Sequence, residues 1–168
     1  MMERHRMLLD FKTPDEARRW EIVNDVVMGG ISRSRMEITA DRTAVFQGEV
    51  SLENYGGFAS IRTSPQDFQL GGCEGIVIRV RGDGKRYRLR LRTDALHEGI
   101  AYQAVFETVP GQWTVATLPF GDFIPVYRGQ VVSDARPLEQ GRIRRIGLMI
   151  ADKQQGPFRL EIDWIKAY

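Results

Sequence analysis

Residues 75–93 read GIVIRVRGDGKRYRLRLRT, and their alternation decides the class of fold. In the first run Ile76, Ile78 and Val80 alternate with Val77, Arg79 and Arg81; in the second Tyr87, Leu89 and Leu91 alternate with Arg86, Arg88, Arg90 and Arg92. A period of two is the signature of half-buried strands, not of a helix. The four residues Gly82-Asp83-Gly84-Lys85 between the runs are turn formers. The spacing predicts a hairpin with Val80 opposite Tyr87, Ile78 opposite Leu89, Ile76 opposite Leu91 and Arg81 opposite Arg86. A slip of one residue would mix the two sides. One side is then core and the other an arginine face.

Outward from this hairpin the same texture continues. Short β-type runs at 7–11, 34–39, 44–51, 58–63, 101–107, 112–118, 144–151 and 158–168 end in Gly, Asp, Asn or Pro. Their spacing predicts an antiparallel sandwich or barrel. One helix or helical turn is expected at 13–22, with Thr13 as N-cap, Pro14 at the first helical position and Asp15 and Glu16 in the first turn. No repeat, low-complexity tract or linker divides the 168 residues, so a single domain spanning 1–168 is expected.

Composition narrows the class further. The hydrophobic fraction of 42% excludes a disordered tail. Cys73 is the single cysteine, which excludes an internal disulfide and a cysteine-based zinc site. No apolar run approaches the ~18–20 residues that span a bilayer. The first residues carry neither the apolar segment of an export signal nor an Arg-rich amphipathic leader. A cytoplasmic location without membrane insertion is the expectation.

The net charge of +2 hides a strong asymmetry. Residues 79–92 hold seven basic side chains and one acidic, a local +6, so the remainder carries −4. Like charges opposed across strands are destabilising by ~0.2–1 kcal/mol per pair. Two readings offset the cluster. Carboxylates on neighbouring strands and water can neutralise it, or an anionic ligand or acidic protein partner can bind it. Nucleic acid is not expected, because the alternation turns Tyr87 into the core and removes the stacking platform.

Catalytic patterns are weak. His5 and His97 are the only histidines, and neither stands beside a nucleophile in sequence. Cys73 reads as a packed thiol. Asp25, Glu53, Asp83, Asp94, Asp122 and Asp152 lie near turns, and nothing in their spacing selects a hydrolytic pair. Arg81-Gly82-Asp83 spells an adhesion tripeptide but reads as turn. Gly29-Gly30 and Gly82-x-Gly84 fall short of a phosphate-loop fingerprint.

A further ordered series stands out: WEIVNDVVMGGIS at 20–32, FQGEVS at 46–51, NYGGFASIR at 54–62, RGDGKRY at 81–87, Trp113 with LPF at 118–120, Arg128-Gly129, IGLMIADKQ at 146–154 and GPF at 156–158. This series resembles the complex I intermediate-associated protein 30 family over nearly the whole chain, in the manner of a bacterial stand-alone domain. The resemblance implies an all-β fold, a galactose-binding-like jelly-roll β-sandwich of two antiparallel sheets. It also implies a non-enzymatic role: mitochondrial members are assembly factors for respiratory complex I that bind incompletely assembled subunits. No catalytic residue and no cofactor come with it, and no metal is expected.

Within these motifs Asn24, Asp25, Ser32, Arg62 and Arg128 are polar or charged beside glycines. Either Asn24, Asp25 and Ser32 tie down a long loop by side-chain-to-backbone bonds, or these loops and the arginines Arg79, Arg81, Arg86, Arg88, Arg90 and Arg92 form one rim for a partner. The leading expectation is a protein-binding assembly factor or chaperone. A carbohydrate-binding module is the alternative, with Tyr55, Trp113 and Tyr127 as candidate platforms. A carboxylate-dependent hydrolase or lyase comes third.

Overall fold

The computed structural model describes residues 5–25, 30–93 and 99–168. Among these the strands are β1 (Arg6–Leu9), β2 (Trp20–Ile22), β3 (Arg33–Ile38), β4 (Ala44–Val50), β5 (Ala59–Thr63), β6 (Gly75–Arg81), β7 (Arg86–Thr93), β8 (Ala101–Glu107), β9 (Trp113–Pro119), β10 (Ile124–Tyr127), β11 (Gln130–Val131), β12 (Ile143–Ile150) and β13 (Gly156–Ala167). They form two antiparallel sheets packed face to face, an all-β jelly-roll sandwich. The first runs β3-β4-β13-β6-β9, with β1 also on β13; the second runs β11-β10-β8-β7-β12-β5-β2.

The alternation places side chains as expected, but the hairpin pairing is corrected. β6 pairs with β13 and β9, whereas β7 pairs with β12 and β8 in the other sheet. Ile76, Ile78 and Val80 therefore meet Tyr87, Leu89 and Leu91 through the core between the sheets, and all six are fully buried. Both arrangements hide the same apolar set. Crossing between sheets gives each strand two ladder neighbours, satisfying its backbone groups on both edges. Asp83 shapes the corner: its carboxylate accepts the Tyr87 hydroxyl at 3.0 Å and the Arg159 N–H at 2.8 Å. Gly82 packs so tightly that a Cβ would lie 2.3 Å from Thr108.

Aromatic rings link the sheets at that end. Phe46 and Phe158 meet edge to face at 4.9 Å, and Tyr87 stacks on Phe106 at 6.2 Å while reaching Phe158 at 6.5 Å. Such pairs contribute ~0.5–1.5 kcal/mol each beyond area burial.

The N-terminal helical element is shorter than expected. It is a 3-10 helix over Pro14–Arg19; Thr13 occupies the N-cap in extended conformation without a side-chain cap bond, and none of the six helical residues is buried. Without an apolar stripe nothing holds a longer helix against the core. Trp20 instead starts β2, pairing with Thr63 and packing on Phe11 at 6.0 Å. The short strands β2, β10 and β11 were not anticipated, being only two to four residues long.

A bulge in β12 positions the site. Ile143 pairs with Thr93 and Arg145 with Arg92, leaving Arg144 as the extra residue. The alternation thereby shifts phase, so that Ile143 and Ile146 are both buried while Arg145 turns outward.

Candidate functional site

The outer face of the second sheet carries a groove of about 480 Å³. One cross-strand row crosses its middle: Ile124 on β10, Gln103 on β8, Arg90 on β7, Gly147 on β12, Arg62 on β5 and Glu21 on β2. Gly147 contributes no side chain, so Arg90 and Arg62 face one another across a gap two strand spacings wide, roughly 10 Å. Adjacent rows add Arg88 opposite Met149 and Arg92 opposite Arg145. Among the described residues, six arginines and Lys153 line the groove against one carboxylate, that of Asp152.

These cations are unevenly neutralised. Glu21 accepts from Arg62 at 2.9 Å and from Arg145 at 3.4 Å, and both guanidinium groups hold its carboxyl below the usual range. Arg88 pairs with Asp152 and lies 3.5 Å from the Gln103 amide oxygen. Arg92 donates to the Gly99 carbonyl at 3.2 Å, and that bond carries no countercharge. Arg90 has no hydrogen-bond or ion-pair partner among the described residues, and the Nε atoms of Arg62, Arg88 and Arg90 are buried without acceptors. Burial, reinforced by Arg92, Arg88 and Arg62, pushes the Arg90 guanidinium down to about 10. Burial with Arg62 and Arg145 lowers Arg92 as well.

The walls are built by loops. Gly56, Gly57 and Phe58 form one side together with Val23 and Ser60. Asp25, fully buried, holds that side: its carboxylate accepts the Ser32 hydroxyl, the Ser32 N–H at 2.9 Å, the Gly57 N–H at 2.7 Å and the Phe58 N–H at 3.3 Å. Burial alone would raise its pKa, but these donors outweigh it and the net direction is down. Gly30 and Gly56 crowd the same carboxylate, since a Cβ on either would lie about 2.5 Å from its oxygens. Asn24 accepts from the Ser34 hydroxyl at 2.7 Å and the Ser60 N–H at 3.3 Å. At the far end Tyr127 and Arg128 form the rim, with the guanidinium 5.2 Å from the ring centre.

The twelve-residue distance between Arg81 and Thr93 in sequence thus spans two faces of the molecule. Arg88, Arg90 and Arg92 share the groove with Arg62 and Arg128. Arg79 and Arg81 lie on the outer face of the first sheet, each matched by a carboxylate: Arg79 to Asp163 at 2.6 Å and Arg81 to Glu161 at 2.6 Å. Both guanidinium groups also stack over Trp113, at 4.5 and 4.9 Å. Arg86 is exposed at the start of β7, where Gln154 brackets its backbone. Asn24, Asp25 and Ser32 stand behind the wall rather than in the groove.

Of the aromatic platforms, Tyr127 lines the groove and Trp113 does not; the side chain of Tyr55 is not among those described. His97 and Asp94 lie outside the described residues. Cys73 packs half-buried against the core. Among the described residues no group of three or more His, Cys, Asp or Glu could hold a metal ion, and no helix is long and apolar enough to cross a membrane. The sequence singles out neither Arg145, Gly147, Lys153 nor Gln103 as site residues, and Asp152 only as a carboxylate near a turn. The alternation of Ile146, Leu148 and Ile150 with Arg145, Gly147 and Met149 was a usable signal for two of them.

Comparison with known proteins completes the description. The family model described as Complex I intermediate-associated protein 30 matches residues 9–162. The mitochondrial complex I intermediate-associated protein 30 of Drosophila melanogaster is 27% identical over 181 residues, covering 95% of this chain and 61% of that protein. Its Mus musculus counterpart is 27% identical over 188 residues, covering 100% and 57%. The chain therefore spans about three fifths of the curated relatives it matches. Among solved structures, a family 11 carbohydrate-binding module from Clostridium thermocellum in complex with a β-1,3-1,4-mixed-linked tetrasaccharide superposes with a TM-score of 0.72 at 17% identity, over 97% of this chain and 94% of that one. The family 11 module of the cellulosomal cellulase Lic26A-Cel5E gives 0.73 at 16% identity, over 99% and 95%. At these identities the likeness is one of fold.

Proposed function

The chain belongs to the complex I intermediate-associated protein 30 family, and on that footing we propose that it is a non-enzymatic binding domain whose groove holds a protein partner during assembly of a larger complex. The observation that carries this reading is Arg90, a guanidinium desolvated in a groove without a countercharge of its own among the described residues. Burying an unmatched charge is unfavourable and persists only where something else offsets it; a bound partner does so. The partner we propose is a subunit of respiratory complex I before its assembly, in keeping with the names of the relatives. The lone Cys73 fits a reducing compartment such as the cytoplasm.

The test is affinity purification from the native cell with the wild type and an Arg90→Gln/Arg92→Gln variant. Loss of co-purifying proteins from the variant supports the reading, and an unchanged set removes the groove from it.

The shared fold with carbohydrate-binding modules, together with Tyr127 in the groove, favours a second reading in which the groove takes a sugar. Salt separates the two, because binding to neutral hydroxyls is nearly indifferent to ionic strength while charge pairing weakens with it. Titration with mixed-linked β-glucan oligosaccharides at low and high salt is the measurement.

A further inference from the structure

We infer that the groove is built to take an extended acidic peptide segment carrying two carboxylates separated by one residue, the first seated above Gly147 between Arg90 and Arg62 and the second against Arg92. This rests on the protein-partner reading and names the chemistry of the partner's recognised segment.

The assignment follows from which charges are already spoken for. Glu21 serves Arg62 and Arg145, and Asp152 serves Arg88. Arg90 and Arg92 remain without carboxylates among the described residues. They are two positions apart on β7, on the same face, and so repeat at about 6.7 Å. An extended polypeptide presents alternate side chains at that same repeat, so acidic residues at i and i+2 fall into register with both arginines. The gap at Gly147 gives the first carboxylate its depth: it is the one position in the central row without a side chain, and Arg90 and Arg62 border it on either side. The Nε atoms of both arginines are closed to solvent, so the donors open to a ligand there are the terminal guanidinium nitrogens of Arg90, which have no acceptor among the described residues. Guanidinium groups prefer carboxylates in paired, charge-assisted hydrogen bonds.

Other anions fit less well. A single phosphate reaches one seat but not both, and a pyrophosphate, its two phosphorus atoms joined through one oxygen, matches the repeat of about 6.7 Å less well than the alternate side chains of an extended chain do. A single-stranded nucleic acid needs exposed aromatic platforms, and among the described lining residues the one exposed ring, Tyr127, already carries Arg128.

Calorimetric titration of the whole chain tests this with a capped Gly-Glu-Ser-Glu-Gly peptide. Controls are the same peptide with Gln for Glu, a peptide with the two Glu three positions apart, pyrophosphate, and a short single-stranded oligonucleotide. The Glu-Ser-Glu peptide is expected to bind at least tenfold tighter than the respaced and the Gln peptides, and to weaken as salt rises. Arg90→Gln should reduce that affinity tenfold or more, while Arg79→Gln, on the opposite face, leaves it unchanged. Thermal melts guard against loss of fold: Arg90→Gln should melt no lower than the wild type, because the charge it removes has no partner among the described residues. Equal binding of the respaced peptide, tighter binding of pyrophosphate or of the oligonucleotide, or a lower melting temperature for Arg90→Gln would overturn the assignment.

The outcome also separates the two levels of the argument. If Arg90→Gln/Arg92→Gln loses its co-purifying proteins but the peptide does not bind, the protein-partner reading stands and the carboxylate seat falls. If the peptide binds as specified while the co-purifying set is unchanged, the seat stands and that reading falls.

Discussion

Arg90 stands directly opposite Gly147 across the β7–β12 pair, so a guanidinium without a countercharge among the described residues faces the one position of its row that has no side chain. A residue of any size at 147 would fill the gap. A Cβ there already comes within 2.9 Å of the Ile61 carbonyl oxygen and 3.3 Å of the Arg62 Cβ. The site is therefore defined as much by a missing side chain as by the arginines around it.

Arg90 is expected to trade stability for binding. Its neighbours Arg88, Arg92 and Arg62 repel it, and burial adds to the penalty. Arg90→Gln should stabilise the unliganded protein by about 0.5–1 kcal/mol, the size of a relieved like-charge pair. For a chain of this length that raises the midpoint of thermal unfolding by a few degrees. Calorimetric melting of wild type and variant at low salt checks the direction.

Asp25 carries the opposite expectation. Four donors converge on its buried carboxylate, and removing it leaves Ser32, Gly57 and Phe58 N–H groups without their acceptor. Asp25→Ala should cost about 3 kcal/mol or more, since each orphaned buried donor is worth ~1–3. Gly30→Ala should be similarly disruptive, because the added Cβ overlaps the same carboxylate. Denaturant midpoints for the two variants provide the measurement.

Acid should unfold the protein through these same groups. The carboxyls of Asp25, Glu161 and Glu21 are all lowered in the folded chain relative to their ordinary values of 3.8, 4.5 and 4.5. The unfolded chain then binds more protons than the folded one as pH falls through that range. Their contribution is complete above about pH 5 and is lost progressively as the pH drops below about 4 toward their folded values. Urea midpoints measured from pH 7 to pH 3 should be flat at first and then fall, and Asp25→Asn should flatten part of that fall.

Arg81 and Glu161 form a structural pair on the face opposite the groove. Glu161 is 2% exposed and is shared by Arg81, Arg159 and the Thr43 hydroxyl, the last at 2.6 Å. Arg81→Gln should destabilise by about 2 kcal/mol, in the range for charge-assisted hydrogen bonds, and leave ligand affinity at the groove unchanged. A double-mutant cycle with Glu161→Gln isolates the coupling between the two.

Much of this molecule was legible in local pattern. The period of two in 75–93 determined that Ile76, Ile78, Val80, Tyr87, Leu89 and Leu91 would enter the core between the sheets and the arginines would lie on the outer faces, because the side chains of a strand alternate wherever the strand is placed. The ordered motifs led to the family and hence to the sandwich. What local pattern could not decide was which strand lies beside which. A hairpin and a crossing between sheets bury the same six apolar side chains, so their difference is invisible to alternation. The crossing is decided by partners far away in sequence: β13 and β9 for one strand, β12 and β8 for the other. That choice divided the arginines, sending Arg79 and Arg81 to Asp163 and Glu161 and leaving Arg88, Arg90 and Arg92 to meet Arg62, Arg145 and the gap at Gly147. The charge of a stretch is written in its residues; whether it is neutralised depends on which distant strand supplies the carboxylate, and only the folded sheet order settles that.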